Sequence, residues 1–244
     1  MSAASLGSPA QELVTFGNFS CGSMSHKMGK SVRAGKFVTL EGIEGSGKSC
    51  QLLLLTEELR QRQIPFVSTQ QPGGTPFGKE LREVLLRSQG PQREPLSELL
   101  LYLADRYQHL KEIIEPALSQ GCLVICDRYH DATLAYQGYA RGIGFSTVDA
   151  LTEVLQLRMP DLTLVLDVEV EIGLERARQR NEREQAQEWG RFEAEDLDFH
   201  RKVQEAYRLL AERDPQRVFL VEASGTSERV FEAILSILES QAVF

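Results

Sequence analysis

Eight consecutive residues, Gly42-Ile-Glu-Gly-Ser-Gly-Lys-Ser49, have the types and spacing needed to hold a nucleoside triphosphate. Glycines at the first and sixth positions let backbone N–H groups turn inward with no Cβ in the way. Lys48 adds a compact positive charge, and the Ser49 hydroxyl suits Mg²⁺. The run Phe37–Leu40 before the loop reads as a strand and the run after Cys50 as a helix. The loop therefore lies where a helix N-terminus contributes further donors to an anion. Gly42, Ile43, Glu44, Gly45, Ser46, Gly47, Lys48 and Ser49 are the candidate triphosphate-binding residues, with Ser49 also a metal ligand. A tight turn with a chance lysine would not require this whole context.

Five further groups carry chemistry. Asp127-Arg128 directly follows a strand-like Leu-Val-Ile-Cys run, where a carboxylate can hold Mg²⁺ through water and a guanidinium fork can take a phosphate. A capping aspartate with an arginine partner is the plainer alternative. Thr69-Gln-Gln-Pro-Gly-Gly-Thr75 permits close backbone approach at its glycines, with Arg82 two turns into the next helix. Tyr102 and Arg106, four apart, share one helix face, an aromatic plane beside a hydrogen-bond donor that suits a nucleobase. Spacing alone equally describes a half-buried tyrosine and a surface arginine. Thr133, Tyr136 and Gln137 add polar and aromatic groups near the same strand ends. Finally, residues 176–191 hold Arg176, Arg178, Arg180, Arg183 and Arg191 among polar residues, either a solvated helix face or a lid that brings arginines onto phosphates.

The elements that must position these groups follow from periodicity. Apolar runs predict strands at Phe37–Leu40, Pro65–Thr69, Leu123–Cys126, Leu162–Leu166 and Val218–Val221. Helices are expected at Ser49–Gln63, Pro76–Arg87, Pro95–Gln120, Ser146–Arg158, Glu169–Arg180, Ala194–Arg213 and Ser227–Gln241. Strands alternating with helices make an α/β fold: a doubly wound, five-stranded parallel sheet with helices on both faces, of the P-loop NTPase type, plus a helical lid. Ligands should bind beyond the carboxyl ends of the strands. We expect residues 1–35, rich in Ser, Gly and Ala, to be a disordered extension and 36–244 to be the folded domain. Met24 and Met28 are alternative starts.

Composition is that of a soluble globular protein, 42% hydrophobic and 25% charged. A net charge of −8 argues against nucleic-acid binding, so an anionic ligand must meet a local basic cluster. No apolar run approaches the ~20 residues of a membrane span. The four cysteines lack disulfide or zinc spacing, which fits a reducing cytoplasm.

Taken in order, Glu41-Gly-Ile-Glu-Gly-Ser-Gly-Lys-Ser49, Gln71-Pro-Gly-Gly-Thr75, Ala104-Asp-Arg106, Asp127-Arg-Tyr129 with Ala135-Tyr-Gln-Gly138, Pro160–Asp167 and Arg191-Phe-Glu193 resemble the bacterial thymidylate kinases over about 200 residues. The resemblance implies transfer of the ATP γ-phosphoryl group to dTMP with Mg²⁺, in a homodimer. By that resemblance Glu44 reaches the acceptor sugar, Tyr102 stacks on thymine and Arg106 bonds its carbonyl. Arg82 and Arg128 hold the acceptor phosphate, Thr133, Tyr136 and Gln137 line the base and sugar pocket, and Asp127 lies near Mg²⁺. Lys48, Arg128, Arg178 and Arg180 are implied as catalytic, the last two from the lid, because the loop itself has no arginine. The apolar faces of the 95–120 and 146–158 helices either form the dimer or join the core. Three departures stand out: Gln71 where the family has Glu, Ala132 where it has a small hydroxyl residue, and Cys50 where it has Thr. The alternatives are a related kinase with another acceptor, against which the Tyr102/Arg106 pair and the Tyr136-Gln137 run argue, and a non-catalytic nucleotide-binding protein, against which Lys48 and the lid arginines argue.

Overall fold

The computed structural model describes residues 35–87, 93–183, 191–192 and 195–244. Five strands, β1 (Phe37–Glu41), β2 (Phe66–Gln70), β3 (Leu123–Asp127), β4 (Leu162–Asp167) and β5 (Val218–Glu222), form one parallel sheet in the order β2-β3-β1-β4-β5. All five expected strands are present, and each runs one residue further than its apolar run. The added residues are Glu41, Gln70, Asp127, Asp167 and Glu222, so every strand ends on a polar group, and Gln70 and Asp127 line the crevice. Central β1 is buried along its whole length, and Thr39 Oγ1 meets Thr163 Oγ1 across the β1–β4 pair at 2.9 Å. The connection leaving β1 runs to β2 on one side, and the connection leaving β3 crosses to β4 on the other. That reversal opens the crevice between β1 and β3 where ligands of such sheets bind.

The helices among the described residues are α1 (Lys48–Gln61), α2 (Pro76–Leu86), α3 (Pro95–His109), α4 (Glu115–Ser119), α5 (His130–Thr133), α6 (Phe145–Val154), α7 (Val170–Arg183), α8 (Leu197–Arg213) and α9 (Ser227–Ser240). Local chemistry sets several of their starts. Thr75 caps α2 by accepting the Gly78 N–H at 2.9 Å, ahead of Pro76 at the first helical position. Asp196 accepts the Phe199 N–H at 2.8 Å and caps α8. The expected 95–120 helix is interrupted by a π-helical stretch, Leu110–Ile114, between α3 and α4. Expected helix 146–158 ends early at Val154, with Gln156 in the left-handed region at φ 50°.

One element is absent from the sequence expectations. Residues 130–140 form α5 continued by a π-helical stretch, Leu134–Ala140, packed against α8. Eleven residues containing Gly138 and two tyrosines give no clean helical period, and the tertiary contact with α8 stabilises the segment instead. Of the 176–191 stretch, 176–183 form the last turns of α7 and 184–190 lie outside the described residues, as does all but Gly35 of the expected extension. No helix among the described residues is long and apolar enough to cross a membrane.

Candidate active site

A cavity of about 520 Å³ opens at the carboxyl ends of β1, β2 and β3. Its first wall is the Gly42–Ser49 loop. Gly42, Gly45 and Gly47 take φ values of 137°, 71° and 101°, which only glycine adopts without strain. Lys48 folds back over the loop, donating to the carbonyls of Gly42 and Ile43 at 2.9 and 3.0 Å. Burial, then the neighbouring Arg128 charge, lowers its ammonium from 10.5 to about 8. The Ile43 side chain packs into the core, so this residue offers the cavity no side chain.

Glu44 turns the other way. Its Oε1 accepts Arg128 Nη2 at 2.9 Å and the Tyr136 O–H at 2.8 Å, and its Oε2 lies 3.4 Å from His200 Nδ1. Burial alone would raise this carboxyl; Arg128, His200 and Lys48 outweigh it and hold the pKa at about 2. A carboxylate inside the triphosphate loop is thereby fixed to residues on two other elements.

Arg128 follows β3 in the left-handed region, φ 64°. Leu40 accepts the Arg128 N–H at 2.9 Å and Glu41 Oε1 the Tyr129 N–H at 2.7 Å, so the end of β1 holds this turn from both sides. The turn carries the Arg128 guanidinium over the Tyr136 ring, 4.9 Å from its centroid. Beside it, Asp127 Oδ1 is buried with no hydrogen-bond partner. Among the described residues no cluster of three or more His, Cys, Asp or Glu could hold a metal alone. An orphaned carboxylate oxygen near a phosphate loop fits Mg²⁺, which keeps waters and phosphate oxygens as its other ligands.

The 69–75 loop supplies the platform for Arg82, whose Nη1 donates to the Pro72 carbonyl at 2.7 Å. A Cβ on Gly73 would sit 2.8 Å from Arg82 Cδ, so glycine there lets the arginine cross the loop. On α3, Tyr102 and Arg106 both line the cavity, and Arg106 is 1% exposed, which rules out the surface-arginine alternative. Thr133, Tyr136 and Gln137 line it from the 130–140 helix; Gln137 Nε2 donates to Glu98 at 2.9 Å. Ala132 and Cys50, two of the departures, also border it.

Helix α7 divides the expected lid arginines. Arg180 lines the cavity, whereas Arg178 is half exposed and paired with Glu175 and Glu182 at 3.7 and 3.4 Å. Successive residues rotate by about 100°, so position 178 faces away from 173, 176 and 180. That face is pressed onto the loop: a Cβ on Gly45 would lie 1.8 Å from the Gly173 carbonyl oxygen, and one on Gly173 would lie 2.7 Å from the Glu44 carbonyl oxygen. Arg176 also reaches the cavity and ties α7 to the carbonyls of Ala223 and Ser224. Sequence reasoning does not single out Arg176, Phe192 or His200 as site residues. Helical phase from Gly173 would find Arg176; the contact of buried His200 with Glu44 has no sequence signal.

The thymidylate kinase family model matches residues 40–234. A thymidylate kinase of Pelobacter propionicus is 48% identical over 203 residues, covering 83% of this chain and 93% of that protein. One from Clostridium novyi is 44% identical over 206 residues, covering 84% and 98%. The crystal structure of thymidylate kinase from Ehrlichia chaffeensis superposes with a TM-score of 0.67 at 31% identity, covering 84% of this chain and 99% of that one. By the family-model match and these likenesses, the chain belongs to the thymidylate kinase family.

Proposed function

We infer that this chain transfers the γ-phosphoryl group of ATP to dTMP, giving ADP and dTDP. The observation that carries this reading is Glu44: one carboxylate belongs to the donor loop and is bonded to Arg128 and Tyr136 of the acceptor wall. Gly42–Ser49 hold the ATP phosphates through backbone N–H groups, with Lys48 released from its carbonyls onto them. Arg82 and Arg128 hold the acceptor phosphate, Tyr102 stacks on thymine, Arg106 donates to its ring carbonyl, and Thr133, Tyr136 and Gln137 close the base and sugar pocket. Arg180, rather than Arg178, meets the charge that develops on the transferred group. Ser49 and Asp127 are the residues that would hold Mg²⁺, which would supply charge neutralisation for phosphoryl transfer. Chemistry of this kind needs little covalent help; positioning and positive charge suffice.

The lid reading of 176–191 follows, since closure over the cavity would exclude water able to hydrolyse ATP. So does a homodimer. Leu96, Leu100 and Tyr107 form an exposed apolar stripe on α3, each 43% exposed or more, with Phe77 beside them on α2. We place the reaction in the cytoplasm, in keeping with Cys50 and Cys126, which are in no disulfide among the described residues. A coupled ADP-release assay with a panel of nucleoside monophosphates tests the whole reading. The expected result is a clear preference for dTMP; equal turnover of dTMP, UMP and AMP would overturn it, and no turnover at all would favour a non-catalytic binding protein.

A further inference from the structure

Gln71 sits behind the two residues that would read the base. Its Oε1 accepts Arg106 Nε–H at 2.8 Å, and its Nε2 donates to the Tyr102 carbonyl at 3.3 Å. One carboxamide thus spans a full turn of α3, holding the backbone at Tyr102 and the side chain at Arg106. Gln71 is 3% exposed and Arg106 1% exposed, so neither interaction competes with bulk water.

A second edge of the Arg106 fork is also committed. Nη2 donates to the Tyr129 carbonyl at 2.8 Å and to Thr133 Oγ1 at 2.6 Å, and the guanidinium lies 5.0 Å from the Tyr129 ring centroid. Nη1 is buried and has no partner. A guanidinium is planar and rigid, so fixing Nε on one edge and Nη2 on another fixes where Nη1 points. With Tyr102, Thr133 and Gln137, Arg106 lines the cavity, which makes Nη1 the donor left for a ligand acceptor.

We propose that Gln71 is a specificity-determining positioning residue: by holding Arg106 Nε it aims the remaining Nη1–H groups at an acceptor atom on the base and excludes a base carrying an amine there. The proposal rests on the reading of Arg106 as the base-carbonyl donor. A pyrimidine with a C4 carbonyl satisfies the buried donor, whereas one with an exocyclic amine sets donor against donor, the arrangement that buried polar sites reject most strongly. Any side chain at 71 that presents an oxygen to Arg106 Nε preserves the aim; an apolar one lets the fork rotate about its long side chain.

The test compares dTMP with 5-methyl-dCMP, which differ only in the ring groups at and next to C4. Wild type, Gln71→Leu and Gln71→Glu are assayed for kcat and KM with each acceptor and with ATP, alongside thermal unfolding. Gln71→Leu should raise the KM for dTMP and cut the dTMP to 5-methyl-dCMP ratio of kcat/KM by about tenfold or more, with the ATP KM unchanged, as losing one aimed hydrogen bond predicts. Gln71→Glu should hold the ratio within about threefold of wild type, since it keeps the oxygen and loses only the donor to Tyr102. Should the leucine variant fail to fold, Gln71→Met, of nearly the same length, carries the same expectation. A folded apolar variant with the wild-type ratio overturns the proposal, as does a folded Gln71→Glu whose ratio collapses. If wild type itself shows no preference for dTMP, the failure belongs to the assigned acceptor; if the preference is present and position 71 leaves it unmoved, only this inference falls.

Discussion

At the scale of single residues, the site is a set of charges held ready by one another. Lys48 occupies loop carbonyls with its ammonium held at about 8 by burial. The protonated form is the one that binds phosphate, so it is lost as pH rises through that value. We expect kcat/KM for ATP to fall above about pH 8 while kcat stays level further, because bound phosphates hold the proton in place; pH–rate profiles at saturating and limiting ATP check this. Arg180→Ala should lower turnover by about 10³-fold with little change in ATP affinity, as for an arginine acting in cis. Arg178→Ala, removing a solvent-facing pair, should stay within about twofold. Single-turnover kinetics on both variants separate these outcomes. Much of the residue list is legible in the chain itself, because phosphate chemistry forces glycine, lysine and arginine into recognisable spacings. Arg178 cannot be told from Arg180 in a stretch so poor in apolar residues, since helical phase needs a buried reference point, here Gly173. His200 stays invisible because a partner 156 positions away leaves no local pattern.

At the scale of elements, helix α7 meets the Gly42–Ser49 loop backbone to backbone at Gly173 and Gly45. Gly173→Ala, judged by helix propensity, would stabilise α7 by about 1 kcal/mol. The structure predicts the opposite. The new methyl would meet the Glu44 carbonyl oxygen at 2.7 Å and Ile43 Cδ1 at 3.0 Å. We expect a loss of about 1–3 kcal/mol from overpacking, read as a lower thermal midpoint, together with reduced turnover. Gly45→Ala adds a left-handed backbone to a 1.8 Å approach and should fare worse. The strands show why elements are read more easily than their ends. Apolar runs such as Leu123–Cys126 are set by burial on both faces, but the polar residues that close them answer to tertiary surroundings: Glu41 accepts from Tyr129 and Tyr207, and Asp127 borders the cavity. A reading based on hydrophobicity stops one residue short each time, as at Glu41 and Asp127. The 130–140 helix escapes such a reading for a related reason: its inward residues, Thr133, Tyr136 and Gln137, serve the cavity rather than a core stripe.

At the scale of the whole molecule, a chain of net charge −8 presents a cavity lined by Lys48, Arg82, Arg106, Arg128, Arg176, Arg180 and Arg191 against Glu44 and Asp127. Seven cations against two carboxylates make this concave region locally positive in a chain that is negative as a whole. The other surface feature is the Leu96–Leu100–Tyr107 stripe. A stable pair needs roughly 800 Å² per partner, more than three side chains supply, so the proposed interface would have to draw on a neighbouring element such as α2 as well. Leu100→Arg is expected to halve the sedimenting mass at micromolar concentration; an unchanged mass would place the interface elsewhere.

The contact between Gly45 and Gly173 also makes α7 a lever with a hard fulcrum. Seven residues from Gly173 to Arg180 span about 10.5 Å, so a tilt of about 5° at the glycines swings the arginine's backbone by about 1 Å. Displacements of that size at a reacting centre can cost about 10²-fold in rate. For the proposed transfer, positional tolerance is thus set two helical turns away from Arg180, at a bearing made of two residues with no side chain of their own.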